Sequence, residues 1–490
     1  MSNAGLLILA PAHELEASRP LWKVAGPGKF RCPGDTAFND WVDACVDHGV
    51  LFDFDADQAL PRDLPANLDG VRCILLDPAR RGEFAREPAA GRLREFQRRG
   101  GRVVYPAAGP EFDDPQADVY PRVLDLIQET GLTRRHPEML ARLRAMPEER
   151  LMAWWKSTLD EQRRVLQEKD AGWAWGDPVG YHYYAPVFDA ADYFKDPALL
   201  EPAWEFMRNG LDRAQWAGGI SCGKRFALKY YEHTRDRSVL ERVQAEVDAS
   251  LPMLRVPEGG VPEFVRKDNG WVNNEAFAGA GENLGSLSRV TGNPVYLEEA
   301  IRLGRFTHRC CFVPAESLWL HRGHAQGPRP EESGFWGRGN GWFMYGVRGV
   351  LEDMPADHPA REKFQAMLRA GLEGLVRHQR PDGLWHNVVT ATEAASRTDC
   401  CGAWMYMAIF GRAWWKGWLR DGRIPPMLEQ AWQGLKTKTW RGLPISQCCG
   451  TGYNTSHADY FRRAHTKFLG LPLMHALIEL WRVRAAQKSS

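Results

Sequence analysis

No stretch of this 490-residue chain carries the roughly 18–20 consecutive apolar residues that a membrane-crossing helix needs. Charge of one sign is scarce too. The 63 basic residues face 62 acidic ones, a formal net charge of +1, so no global field draws the chain to nucleic acid or an anionic membrane. Neither is expected as a partner. Met1 is not followed by a basic region and then an apolar one, so no export signal is visible. The Ser2-Asn3-Ala4 lead fits a scar of tag removal, which leaves cytoplasm and periplasm both open. The ten cysteines include no CxxC, and the adjacent pairs Cys310-Cys311, Cys400-Cys401 and Cys448-Cys449 lack zinc-ligand spacing. Buried thiols are the expectation. Gly450-Thr451-Gly452-Tyr453 lacks the lysine of a phosphate-binding loop. No metal or cofactor is expected.

What is present is tryptophan, 20 of them, in a chain of otherwise ordinary composition: 44% apolar and 26% charged. The length predicts two domains. Over residues 5–110, strand and helix alternate. Leu6–Leu9 reads as a buried strand and Phe38–His48 as a helix ended by Gly49. Val50–Phe54 and Val71–Leu76 read as strands, Gly91–Arg99 as an amphipathic helix and Arg102–Tyr105 as a further strand. This rhythm predicts a small parallel-sheet α/β domain over 1–112. The polar, proline-containing residues 108–120 read as a linker, with 113–135 holding linker and first helix. From there the chain reads as helical. Asp196, Asp236 and Asn293 recur as N-caps, twice ahead of proline. Repeated helical hairpins over 136–490 predict a mainly α architecture, an (α/α)6 barrel, with a solenoid as the alternative.

The chemistry concentrates in Glu332–Trp342. Four glycines permit unusual backbone angles or close approach, Trp336 and Trp342 offer faces for sugar rings, and Arg338 offers a fork that matches a carboxylate. The plainer reading is a tight turn into a helix Phe343–Leu351 with the tryptophans as core. Gly270–Phe277 is expected to open a helix on which Glu275 and Glu282, seven apart, share a face, with Asp268 in the preceding loop. Solvated or dipole-capping glutamates are the alternative. His321 and His324 fall in a Gly-flanked loop suited to binding a sugar hydroxyl. Asp382-Gly383 makes a turn that sends Trp385 into core or pocket. Asp399 begins a helix, as a cap or as a catalytic carboxylate.

Phe335–Trp342, the Trp271 helix start with Thr291–Tyr296, the His321 loop, Asp382–Trp385 and Cys448–Gly452 occur in this order. Together they resemble the unsaturated rhamnogalacturonyl and glucuronyl hydrolases of glycoside hydrolase families 105 and 88. The resemblance covers residues from about 150 to 485. It implies an (α/α)6 barrel with a pocket for a terminal, non-reducing-end uronic acid of an oligosaccharide. It also implies hydration of the C4=C5 bond left by a polysaccharide lyase, started by an aspartate that protonates the vinyl ether. In this chain that aspartate position is Asn273, and a second one falls near Gly218. An amide cannot serve as a general acid near neutral pH. Three readings follow. Glu275, Asp268 or Asp399 takes over the proton work; or a carboxylate pair cleaves a saturated uronide, as in the similar family 154 glucuronidases; or the barrel binds saccharide without turnover. The implied substrate-binding set is Arg338, Trp336, Trp342, His321, Asn340, Asn273, Trp271 and Trp385. Leu93–Tyr105 resembles amidotransferase-like accessory domains found beside some glycosidases. Cys73 lies within a strand, so this domain is expected to be structural, with a role as a homo-oligomer contact left open.

Overall fold

The computed structural model describes residues 5–10, 23–24, 30–31, 37–54, 60–106, 115–132, 137–157, 159, 184–210, 223–254, 270–391, 398, 400–440, 443–444 and 471–489. They fall into two compact units. One comprises the described residues of Met1–Val165 and Gln433–Thr451, the other those of Leu166–Trp432 and Leu471–Ser490.

In the first unit, strands Leu6–Ile8 (β1), Cys73–Leu75 (β2) and Arg102–Val104 (β3) alternate with helices Ala37–Asp47 (α1) and Ala89–Arg98 (α2). The sheet is parallel in the order β1-β2-β3, with Leu6 opposite Cys73 and Cys73 opposite Arg102. Successive strand side chains point to opposite faces. Leu6, Ile8, Cys73 and Leu75 therefore join Phe38, Trp41 and Cys45 in one core. Leu7, Ile74 and Leu76 join Phe84, Leu93 and Phe96 in another. A parallel sheet covered on both faces is the arrangement that consecutive apolar residues in its strands predict. Burial pushes the Cys73 thiol up to about 12, so it stays protonated. Val50–Phe54, expected as a strand, is largely buried but has no regular secondary structure. The expected linker gives way at Pro115, where a helix runs to Thr130 (α3). Helices Pro137–Arg144 (α4) and Glu148–Ser157 (α5) follow.

The second unit is an (α/α)6 barrel. Its inner ring comprises Ala185–Phe194 (α6), Lys224–Thr234 (α8), Phe277–Thr291 (α10), Gly337–Asp353 (α12), Cys400–Trp415 (α14) and Leu471–Lys488 (α16). The helices α8, α10, α12, α14, α16 and α6 pack in that succession. Phe188 of α6 stacks on Phe226 of α8 with ring centroids 6.1 Å apart, which closes the ring. Glu201–Gly210 (α7), Arg237–Ser250 (α9), Pro294–Cys311 (α11), Arg361–His378 (α13) and Ile424–Thr437 (α15) alternate with these in the chain. The inner helix α14 is buried from Cys400 to Trp414, as expected of a helix covered on every side. Two of the expected caps form. Asp236 accepts from the Ser238 amide at 3.0 Å and Asn293 from the Val295 amide at 3.1 Å. Asp196 precedes a 3-10 turn and makes no side-chain cap bond. Close packing of α10 on α12 needs glycine: a Cβ on Gly346 would lie 2.4 Å from the Phe277 carbonyl oxygen. Of the cysteines read as thiols, Cys310, Cys311 and Cys400 are buried and outside any disulfide, whereas Cys401 is disulfide-bonded.

Candidate active site

Two inner helices begin side by side, and the residues in front of them build the site. Trp271–Asn273 is a strand (β4), not a helix start. It pairs antiparallel with Arg322–His324 (β5), placing Asn273 opposite Arg322 and Trp271 opposite His324. The expected His321 loop is thus partly strand. Gly323 is required there because any Cβ would strike the Cys310 carbonyl at 1.9 Å. After β4 a 3-10 turn, Asn274–Ala276, leads into α10. Glu275 sits on that turn with its side chain 18% exposed, and its Oε1 lies 3.8 Å from Nε2 of buried His321. Glu282 is not its companion. It is buried in α10, where it accepts a 2.9 Å hydrogen bond from Arg225.

The Gly-rich motif is likewise helix rather than turn. Helix α12 starts at Gly337 with Trp336 as its N-cap, so Gly337, Gly339 and Gly341 are helical residues. Their glycines serve close approach, not positive φ: a Cβ on Gly339 would lie 2.9 Å from the Trp336 ring, and one on Gly341 2.9 Å from Met405. Arg338, on the first turn of α12, is buried, and its guanidinium carbon lies 4.5 Å from the Trp336 ring centroid. The His321 ring packs 4.6 Å from the same indole. Trp336 is 1% exposed, so it backs the arginine rather than offering a free face to a sugar. Trp342 and Trp271 are the half-buried indoles.

Two other expected ligand-binding residues belong to the framework. Asn340 is fully buried and hydrogen-bonds the Trp319 backbone at both N–H and C=O, 2.8 Å each, and the Trp336 carbonyl at 3.0 Å. Trp385 is core, its Nε1 donating to the Leu375 carbonyl at 2.8 Å. Asp382 does make the expected turn, accepting from the Leu384 amide at 3.1 Å. Asn273 ends β4 next to the turn that carries Glu275, and its Oδ1 is buried without a hydrogen-bond partner among the described residues. Asp268, Asp399, Gly218 and the Cys448–Tyr453 loop lie outside the described residues.

Sequence reading missed the residues that hold the motif in place. Buried Asn387 accepts from Trp336 Nε1 at 3.2 Å, and its backbone carbonyl accepts from the Gly337 amide at 2.7 Å. Tyr406 donates to the Gly337 carbonyl at 2.7 Å. The only signal for Asn387 is its closeness to the Asp382–Trp385 turn. The assembled group is a carboxylate beside an imidazole, an indole-backed guanidinium, and the amide ends of two helices. Such helix ends favour negative charge. The set can take an anionic group at Arg338 and offers the Glu275 carboxyl group for proton transfer.

Comparison with known proteins follows the same outline. The Glycosyl Hydrolase Family 88 profile matches residues 148–482. An "Unsaturated 3S-rhamnoglycuronyl hydrolase" of Alteromonas sp. (strain LOR) is 25% identical over 169 residues, 34% of this chain and 40% of that protein. The "Unsaturated rhamnogalacturonyl hydrolase YesR" of Bacillus subtilis (strain 168) is 25% identical over 244 residues, 48% of this chain and 69% of that protein. A crystal structure from Salmonella enterica serovar Paratyphi A, described as "a possible member of GH105 family", matches with a TM-score of 0.57. It is 18% identical and covers 72% of this chain and 95% of its own; the likeness is one of fold. With the profile matched over most of its length and the helical barrel in place, this chain belongs to glycosyl hydrolase family 88.

Proposed function

We propose that the chain is a glycoside hydrolase that removes a terminal uronic acid from the non-reducing end of an oligosaccharide, with the 4,5-unsaturated uronide as preferred substrate. The carrying observation is the Glu275–His321 pair, 3.8 Å apart, beside the Arg338–Trp336 pair. Arg338 takes the sugar carboxylate. Glu275 delivers a proton to C4 of the double bond and His321 orients it, doing the work that Asn273 cannot. Water then adds at C5, and the resulting hemiketal opens and releases the remaining saccharide. The names of the relatives support the unsaturated substrate. Asn273, with its uncommitted Oδ1, accepts from a sugar hydroxyl, and Trp271 and Trp342 wall the pocket.

The test is turnover of an unsaturated glucuronyl or galacturonyl disaccharide, followed by loss of the double-bond absorbance. Glu275→Gln is expected to lower kcat by about 10²–10⁴, and Arg338→Met to act mainly on KM. Turnover unchanged in Glu275→Gln removes Glu275 from the role and passes it to Asp268 or Asp399, tested as Asn variants. The presence of Asn273 favours one other reading, a saccharide-binding barrel. Saturable binding with no loss of absorbance and no release of uronic acid from a saturated glucuronide would establish it.

A further inference from the structure

A second polar centre occupies the barrel away from Arg338. Arg348 lies ten residues further along α12, about 15 Å down its axis. There a cavity of about 650 Å³ opens among α6, α8, α10, α12 and α14. Six basic and four acidic side chains line it, a surplus of two positive charges. Most of these charges are paired. Arg225 holds Glu282 at 2.9 Å, and Arg412 holds Asp189 at 2.5 Å and Glu479 at 2.7 Å. Two cations are not satisfied in this way. Arg348 is 3% exposed; its guanidinium carbon lies 4.6 Å over the Tyr345 ring, and its Nη2 makes a loose approach to Glu282 at 3.8 Å. Its Nε and Nη1 have no hydrogen-bond partner among the described residues. Lys229 makes no ion pair among the described residues; its ammonium lies 5.1 Å over the Phe188 ring.

Buried donors without acceptors are costly to keep, and a planar guanidinium with two unpartnered nitrogens offers donors for an oxyanion. We propose that this cavity binds a small oxyanion, a sulfate, phosphate or carboxylate group, through Arg348 and Lys229, independently of the site at Arg338. Burial, and then the neighbouring Arg225, push the Lys229 ammonium down from its ordinary range; an anion placed between the cations relieves that repulsion. A metal ion is the competing occupant, because Asp189, His475 and Glu479 offer ligand atoms within 4.8 Å of one another. Those oxygens are already engaged. Arg412 and His475 hold Asp189, and Arg412 and Arg482 hold Glu479, so a cation would have to displace guanidinium groups.

Isothermal titration of the full chain with sodium sulfate, sodium phosphate and sodium acetate, in chloride buffer of matched ionic strength, tests this. Which anion binds most tightly identifies the group carried by the ligand. Saturable one-site binding of at least one anion is expected, unchanged in Arg338→Met. It is expected to weaken by roughly tenfold or more in Arg348→Met and in Lys229→Met, the loss of one charge-assisted bond. If Arg348→Met does not fold by circular dichroism, the half-buried Lys229 variant decides alone. Three results overturn the proposal: no saturable binding of any of the three anions, binding abolished by Arg338→Met, or binding retained in the folded Arg348 and Lys229 variants.

Discussion

Asn340 closes three hydrogen bonds around the start of α12, joining the Trp319 and Trp336 backbones. Its amide stands where a polar residue in a Gly-rich motif invites a ligand-binding role, and only burial reveals the other use. Asn340→Ala strands a buried N–H and two carbonyls and is expected to cost about 3 kcal/mol, read from urea denaturation. The same limit applies to Trp336 and Trp385. Their identity was legible, but which face an indole has free depends on neighbours far away in the chain. Arg338, His321 and Glu275 stand out in sequence as candidates because a fork, an imidazole and a carboxylate carry their chemistry in the residue itself. His308 was not singled out, although burial pushes its imidazole down to about 4. Its Nδ1 accepts from Trp319 Nε1 at 3.1 Å, a bond open only to the neutral ring. Its folded value lies below the unfolded value of 6.5, so the unfolded chain takes up the proton first. Stability from this group is whole above about pH 6.5 and falls towards pH 4, by at most about 1.4 kcal/mol per pH unit. His308→Gln is expected to flatten that part of the urea-midpoint profile.

Element by element, the sequence located the pieces more reliably than it described their conformation. The plainer sequence reading puts Gly337, Gly339 and Gly341 in a tight turn before a helix at Phe343. They form the first turn of α12 because Trp336, Asn274 and Met405 press against them. The β4–β5 pair replaces an expected helix start at Trp271 and an expected loop at His321, being three residues on each side and too short for periodicity to show. By contrast α1 and α2 begin and end within two residues of expectation, since Gly49 and Gly100-Gly101 mark their ends. The α10–α12 crossing separates two kinds of glycine. Gly346→Ala pushes a methyl against the Phe277 carbonyl and is expected to destabilise by about 3 kcal/mol. Gly292→Ala meets open space and strains only the backbone at φ +70, about 1 kcal/mol. Thermal unfolding of the two variants side by side checks the order.

For the barrel as a whole, recurring caps such as Asp236 and Asn293 announced helical hairpins, and their number announced a ring. How the ring is sealed was not legible, because the sealing residues are remote in sequence. Asp189 of α6 meets Arg412 of α14 at 2.5 Å, and His475 and Arg482 of α16 at 2.6 and 3.6 Å. Burial alone would raise the Asp189 carboxyl, but Arg412, His475 and Arg482 outweigh it and hold it well below the usual carboxylate range. Asp189→Asn leaves these cations without their shared anion and is expected to cost about 3–5 kcal/mol in chemical denaturation. The same join sets a timetable for synthesis. The last stave of the barrel, Leu471–Lys488, leaves the ribosome long after Ala185–Phe194, and until it arrives the lining of the other five staves is bare. A nascent chain of this kind needs shielding from aggregation until Leu471–Lys488 has emerged.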